Sequence, residues 1–490
     1  MNSNANCSRA TKLQFVQQTR KGGKRKRVLI RRAKRNLTAV ALSLSLSSSF
    51  AVAGQATADP VPVVSENVAT RWVERTLDAV RSGSPAPHTS TPGAGRAYAM
   101  TAAAMYDAVN GIGVADGIST RAPALVASYR GAPSGASREA AASAAAHAVL
   151  TSLFASNESV KSSFDSAHAD ELAALGADES VEAGRSWGAA VGSEVVSLRS
   201  NDGTQANISK SGGTGAGVFP RTFGATQFRN MTPFGVASVT PYLSSGPPDL
   251  TSREYADAFN EVKRLGSFTD TDPERAAIAK HWLAEGGTVR ETGLWFKVAL
   301  NVVSDQGTAA SLSDTTRLFA LLGMGIADSV TTSWSDKFTW AYWRPGDAIR
   351  QASTDGNAAT DEDPTWSPRA GVCSATTVAG CSVFGGTPEH TSGTSMFAGS
   401  ASTILASLYC TDHIAFSFAG EQPGSPTRSY RGFSHAAREA GRSRIYGGIH
   451  FQFSNDAGRN AGKEIGREIV RTRLVEDGAG SDSKSTCKED

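Results

Sequence analysis

The chain is poor in the features that would simplify its assignment. Its most apolar stretch, residues 37–54, is interrupted by serines and falls short of the about 20 apolar residues a membrane-spanning helix needs, which excludes a stable span. Cysteine is scarce, with five in 490 residues and none in C-x-x-C spacing, so no thiolate metal centre of that kind is written here. Strand signals are sparse, which excludes a large sheet. The first 58 residues contain no acidic side chain at all, yet hold 12 of the 49 Lys and Arg.

That last imbalance marks a leader. Residues 20–35, "RKGGKRKRVLIRRAKR", are basic, 37–54 are apolar, and "ATA" at 56–58 precedes Asp59, the order of a secretory signal peptide. Arg31 and Arg32 permit a twin-arginine route, although the residues after them match poorly. The expectation is removal on export, to the periplasm or beyond the cell, with an uncleaved anchor or a disordered basic arm as the alternatives. Without the leader, 37 basic residues face 46 acidic ones, a net charge of −9. An acidic mature chain gives nucleic-acid binding no support. Cys7 leaves with the leader, and the even remainder, Cys373, Cys381, Cys410 and Cys487, suggests disulfides in an exported protein. Cys373 with Cys381 is the favoured pair, and free thiols are the alternative.

What is abundant is helical patterning. "GRAYAMTAAAMYDAVNGI" (95–112) and "SREAAASAAAHAVLTSLFAS" (137–156) are alanine-rich with long apolar faces, the composition of close-packed helices. Further helices are expected at 158–175, 179–199, 252–265, 272–286, 288–304, 311–334, 393–409, 433–447 and 454–474. The fold class is therefore mainly α, built of packed helix bundles. The domains are drawn as leader 1–58, N-terminal helical half 59–300, C-terminal helical half 301–476 and a tail from 477. Residues 201–250, rich in Gly, Thr and Pro, read as an ordered excursion or a covering for a site. Residues 351–387 form a second such region, whose "STDGNAATDEDP" does not follow the order of a calcium-binding EF-hand loop.

Three segments gather chemistry. In "DKFTWAYWRP", Lys337 and Arg344 are seven apart, so two helical turns would bring both to one side, with Pro345 ending the helix. In "PEHTSGTS", Ser392 and Gly393 would open a helix and present free N–H groups to an anion. In "RSRIYGGIHFQFSND", Arg444 and His450 flank Gly447 and Gly448. Each has an ordinary reading alone: surface charges, an N-cap serine, a core histidine. Trp340, Tyr342 and Trp343 read as core, with the lining of a pocket mouth as the alternative, His147 and His168 as structural or exposed, and Arg96 as a buried ion-pair partner.

Together, Lys-x6-Arg-Pro, the Ser-Gly turn and Ser443-Arg444-x5-His450 resemble the three-part signature of the vanadium-dependent haloperoxidases and type 2 phosphatidic acid phosphatases. The stretches "GRAYAMTAAAMYDAVN", "YWRPGDAIRQASTDGNAATDEDPTW" and "SRIYGGIHFQF" look like the bacterial haloperoxidase branch, so the resemblance covers about residues 66–475. It implies a vanadate cofactor held by Lys337, Arg344, Ser392, Gly393 and Arg444, with His450 as the ligand to vanadium. The implied reaction is oxidation of halide by hydrogen peroxide, passed to a small organic acceptor; a homodimer is left open. Guanidinium forks and fixed donors suit such an oxyanion, and equally the transition state of phosphoryl transfer.

Two departures matter. The family reads Ser-Gly-His where this chain reads Ser392-Gly393-Thr394, and threonine cannot titrate near neutrality as the proton-handling histidine does. Lowered activity, replacement of the base by His390, with His413 and His435 as weaker candidates, or anion binding without turnover are the outcomes. Phosphatase members also carry an Asp four residues after the reactive histidine, where this chain has Ser454. That tilts the expectation toward haloperoxidase, with an exported phosphatase acting through a phosphohistidine at His450, or a degenerate oxyanion-binding protein, as alternatives.

Overall fold

A computed structural model describes residues 66–206, 208–370 and 386–476. The chain divides into two units, Met1–Pro60 and Val61–Asp490. The expected leader, the tail from 477, and Cys373, Cys381 and Cys487 with their expected pairing lie outside the described residues.

Fourteen α-helices occur among the described residues, with a single two-stranded sheet. They are α1 (Val68–Arg81), α2 (Ala86–Thr89), α3 (Thr91–Ala115), α4 (Arg138–Leu153), α5 (Glu158–Leu175), α6 (Glu179–Arg199), α7 (Arg253–Leu265), α8 (Pro273–His281), α9 (Arg290–Asp305), α10 (Leu312–Trp340), α11 (Pro345–Arg350), α12 (Gly393–Leu408), α13 (Phe433–Tyr446) and α14 (Gln452–Thr472). Strands β1 (Phe416–Ala419) and β2 (Thr427–Tyr430) pair antiparallel, Phe416 facing Tyr430. The mainly helical expectation is met, most boundaries within three residues. The exceptions are α3, which begins at Thr91, four residues before 95, α8, which stops at His281, well before 286, and α10, which runs on past 334 to Trp340. No described helix is long and apolar enough to cross a membrane. The boundary expected at residue 300 falls inside α9.

Small residues explain how tightly these helices pack. α3 and α10 form a buried central pair, and a Cβ on Gly323 of α10 would lie 2.9 Å from Ala99 Cα of α3. A similarly close approach joins α12 and α14, where Cβ atoms on Gly458 and Gly462 would lie 2.5 and 2.0 Å from the carbonyl oxygens of Ser392 and Met396. Any side chain there would force the helices apart. This contact fixes the start of α12, which matters for the site.

The long excursion at 201–250 is ordered by one buried carboxylate. Asp328 of α10 accepts backbone N–H bonds from Phe234, Gly235 and Val236 at 2.6, 2.8 and 2.7 Å, meeting donors that burial would otherwise leave unpaired. Burial pushes its carboxyl up to about 6 against the pull of those three bonds. Asp107 of α3 holds Ala124, Leu125 and Val126 in the same way. Arg96 is the expected buried ion-pair partner, 2.7 Å from Asp202. His147 pairs with Asp165 and stacks on His168, away from the site.

Candidate functional site

Three chain turns bring the signature residues together. α10 ends after Trp340 because Ala341 takes a left-handed conformation, φ +47°, its N–H bonded to Lys337 O at 3.0 Å. Lys337 and Arg344 are therefore not two turns apart on one helix, as the spacing suggested. Arg344 is the N-cap of α11, and Pro345 begins that helix instead of ending the previous one. A residue without an N–H suits the first turn, where no acceptor is available. α13 ends at Gly447, and Gly448 takes φ +74° with Gly266 O and Pro368 so near that a Cβ would clash. The turn folds back so that Ile449 and His450 both donate to Arg444 O, which turns the His450 and Arg444 side chains toward one space.

That space is a cavity of about 540 Å³. Lys337, Arg344, Gly393, Thr394, Arg444 and His450 line it, together with Trp334, Phe397, Ile449, Thr387 and Gly386. Ser90, Thr91 and Pro92 at the start of α3, Gly224 and Ala225 of the long excursion, and two carboxylates, Glu285 and Glu291, complete the lining.

The cations are buried and close. Lys337 Nζ donates to the carbonyls of Pro388 and Glu389 at 2.8 and 3.0 Å, and burial, then Arg344, holds its ammonium well below the usual lysine range. Arg344 donates to Thr387 O, Thr387 Oγ1 and Ile449 O; burial lowers it to about 10. Arg444 is less satisfied. Its Nε has no hydrogen-bond partner among the described residues, and the carboxylate paired with it there is Glu291, at 3.9 Å. Three crowded cations, one with an unpaired donor, are the electrostatic signature of a site built for an anion.

His450 is held as a neutral ligand. Arg344 Nη1 lies 3.0 Å from its Nε2 and Glu389 Oε1 lies 2.8 Å from its Nδ1. A guanidinium only donates, so Nε2 is the acceptor and Nδ1 carries the proton to the carboxylate. Burial, followed by Arg344, Lys337 and Arg444, pushes the imidazole well below its ordinary range. Nε2 is thus unprotonated at neutral pH, its lone pair accepting from Arg344, with a carboxylate orienting the ring from behind, the arrangement in which histidines bind metals.

The start of α12 adds donors. The N–H groups of Gly393, Thr394 and Ser395 take no backbone or capping acceptor, and a helix N-terminus in that state favours an anion. The Thr394 hydroxyl has no hydrogen-bond partner among the described residues. Ser392, in contrast, does not line the cavity: it is fully buried, with Oγ 2.9 Å from Ser395 Oγ, which donates to Asn455 Oδ1 at 2.6 Å. Nor does His390, the expected substitute base. Its ring turns to the other side of the turn, with Nε2 2.5 Å from Ser244 Oγ and Phe453 beside it, because the residue at the turn before α12 alternates away from Glu389. His413 and His435 are also absent from the lining, and Tyr342 and Trp343 belong to a separate buried cluster.

Several lining residues went unread in the sequence. Trp334 sits one helical turn before Lys337 and Phe397 one turn after Gly393, spacings that place each beside the signature. Glu389 lies inside the same "PEHTSGTS" string and is the charged partner of His450 that Ser454 cannot be. Glu285 and Glu291 carry no motif at all.

Residues 317–475 match the family model of the VCPO second helical-bundle domain. No curated protein matches the chain. Among solved structures, it is similar to the first bacterial vanadium-dependent iodoperoxidase, at 19% identity and TM-score 0.67 over 84% of this chain and 97% of that one. It is also similar to holo-type and apo-type bacterial vanadium-dependent chloroperoxidases. The holo-type shows 14% identity and TM-score 0.59 over 84% of this chain and 98% of that one; the apo-type shows 15% and 0.58 over 78% and 93%. The chain shares the fold of these structures, and residues 317–475 match the second helical bundle.

Proposed function

We propose that the protein is an exported vanadate-dependent haloperoxidase that uses hydrogen peroxide to oxidise halide. The observation that carries this reading is the convergence of Lys337, Arg344, Arg444, the free N–H groups of α12 and the His450 Nε2 lone pair on one cavity. The residues fit vanadate. Arg444 Nε is an unpaired buried donor, the cations neutralise an oxyanion, and a neutral imidazole offers the lone pair a metal centre takes. Lys337, Arg344, Arg444, Gly393 and Thr394 would hold the oxygens and His450 the vanadium. When bound, vanadate supplies a Lewis acid that polarises hydrogen peroxide without changing oxidation state.

The chain's own groups do the rest. Glu389 keeps the Nδ1 proton in place and so keeps Nε2 unprotonated. Lys337 and Arg344, withdrawn from water, attract a developing negative charge more strongly than surface cations would. Trp334, Phe397, Ile449 and Pro92 give the cavity apolar lining suited to a small organic acceptor. Thr394 donates a hydrogen bond but moves no proton near neutrality, which lowers turnover relative to a histidine there. Purified protein loaded with orthovanadate should halogenate a phenolic dye with bromide or iodide and peroxide; no gain over vanadate-free protein rejects the proposal.

One observation favours a second reading. The carboxylate missing at Ser454 is replaced by Glu389, 2.8 Å from Nδ1 of His450, so a nucleophilic imidazole for phosphoryl transfer is oriented as well. Hydrolysis of a chromogenic phosphomonoester, inhibited by vanadate, would mark the phosphatase.

A further inference from the structure

The cavity holds the answer to the substitution at Thr394. Of the lining residues, Lys337, Arg344, Arg444 and His450 are occupied as cations or as the neutral ligand, and Thr394 does not titrate. The remaining ionisable groups are Glu285 and Glu291. Glu291 is engaged, since Thr91 Oγ1 donates to its Oε2 at 2.9 Å and its Oε1 faces Arg444. The Glu285 carboxyl has no hydrogen bond or ion pair among the described residues.

Its backbone, by contrast, is anchored. Glu285 O accepts from Thr288 N at 3.2 Å and from Thr288 Oγ1 at 2.7 Å, which closes the turn between α8 and α9 at the cavity wall. Gly286 and Gly287 come next, the latter with φ +80° and no atom within 4 Å of where a Cβ would lie. The side chain is therefore delivered to the cavity lining from a fixed backbone position.

Resting on the haloperoxidase reading, we infer that Glu285 is the proton handler of this site, taking the place left by the histidine absent at position 394. As hydrogen peroxide enters the anion site, its O–H bond breaks and the proton passes to the Glu285 carboxylate. That proton would then pass to a hydroxide displaced from the bound vanadate as the deprotonated peroxide oxygen takes its place, so one water leaves, the carboxylate is regenerated and no net proton is consumed. The charged groups around it set its range. Burial and the neighbouring Glu291 push its carboxyl up, while Arg444 and Arg290 pull it down. Lys337, Arg344 and His450 line the same cavity. An oxyanion arriving beside Arg444 adds negative charge near Glu285, raising its proton affinity further at the moment a base is needed.

Calorimetry of orthovanadate binding to the full-length protein, in buffers of different ionisation enthalpy, tests this without turnover. Wild type should take up more protons per vanadate bound than Glu285→Gln, and the variant should bind vanadate at least as tightly because a repelling charge is gone. Vanadate-dependent bromide oxidation should fall at least about tenfold in Glu285→Gln, with a changed acid limb of the pH profile, and adding Thr394→His should restore it. Equal proton uptake in wild type and variant, or a variant with unchanged turnover and pH profile, would overturn the inference and leave the haloperoxidase reading standing. Failure of wild type to bind vanadate at all would overturn both.

Discussion

Two regions of the molecule meet at the cavity and contribute opposite chemistry. The segment that matches the family model, residues 317–475, supplies its three cations, His450 and the open end of α12. The preceding part supplies its two carboxylates, the rim at Ser90–Pro92 and the cover at Gly224 and Ala225. The cationic side is rigidly prescribed, because an oxyanion needs several donors at fixed positions. The facing side has only to close the space and tune its charge. A change in the first, such as Thr394, is therefore open to compensation from the second, where Glu285 stands.

The comparison breaks most sharply at His450. Replacing it with Ala should reduce vanadate-dependent halide oxidation by about 10³-fold or more, measured as kcat in vanadate-saturated protein. If activity persists, the cationic side is not where the chemistry occurs. On the covering side, Asp328→Ala would leave the N–H groups of Phe234, Gly235 and Val236 unmet. At about 1–3 kcal/mol per orphaned donor, the loss should be roughly 3 kcal/mol or more. It should appear as a lower melting temperature and faster proteolysis within residues 201–250. A variant as stable as wild type would show that the cover is held by other contacts.

Thr394→His sharpens the boundary between the regions. Turnover should rise about 10- to 100-fold if proton transfer limits the wild type, read from kcat against pH. The smallest effect is at the joint, where His390 leaves the turn before α12 to meet Ser244 of the cover. Burial, then Lys337, pushes its imidazole down to about 3, from an ordinary value near 6.5. A base lowered on folding contributes stability that is complete above about pH 6.5 and is lost as pH falls toward about 3. Asp336, raised by burial to about 6, acts in the opposite sense. His390→Gln should therefore narrow the stability difference between pH 7 and pH 5 by about 2 kcal/mol relative to wild type, by denaturant titration at both pH values. An unchanged difference would place that acid sensitivity elsewhere.

Legibility followed periodicity and motif. The helices were readable because each apolar face repeats at helical spacing, and α5 and α6 begin and end at the expected residues. The end of α10 was not readable, because Ala341 adopts a left-handed turn that glycine would have announced and alanine does not. Lys337, Arg344, Arg444 and His450 were legible as a spaced signature. Ser392 and His390 belong to the same string, but a helix start alternates its side chains between faces, and both point away from the cavity. Glu389, one residue from His390, points to His450 instead.

The sequence alone determined that this chain is a bundle of alanine- and glycine-rich helices with three donor-bearing turns, since helix propensity, close packing and charge type are properties of local residues. Only the tertiary structure decided which groups share a cavity: that Glu389 stands behind His450, that His390 does not face the anion site, and that Glu285 does. The physical reason is distance in the chain. Glu285 lies 165 residues before His450, and nothing local to either position records the packing of α9 against the rest of the bundle that brings them to one space.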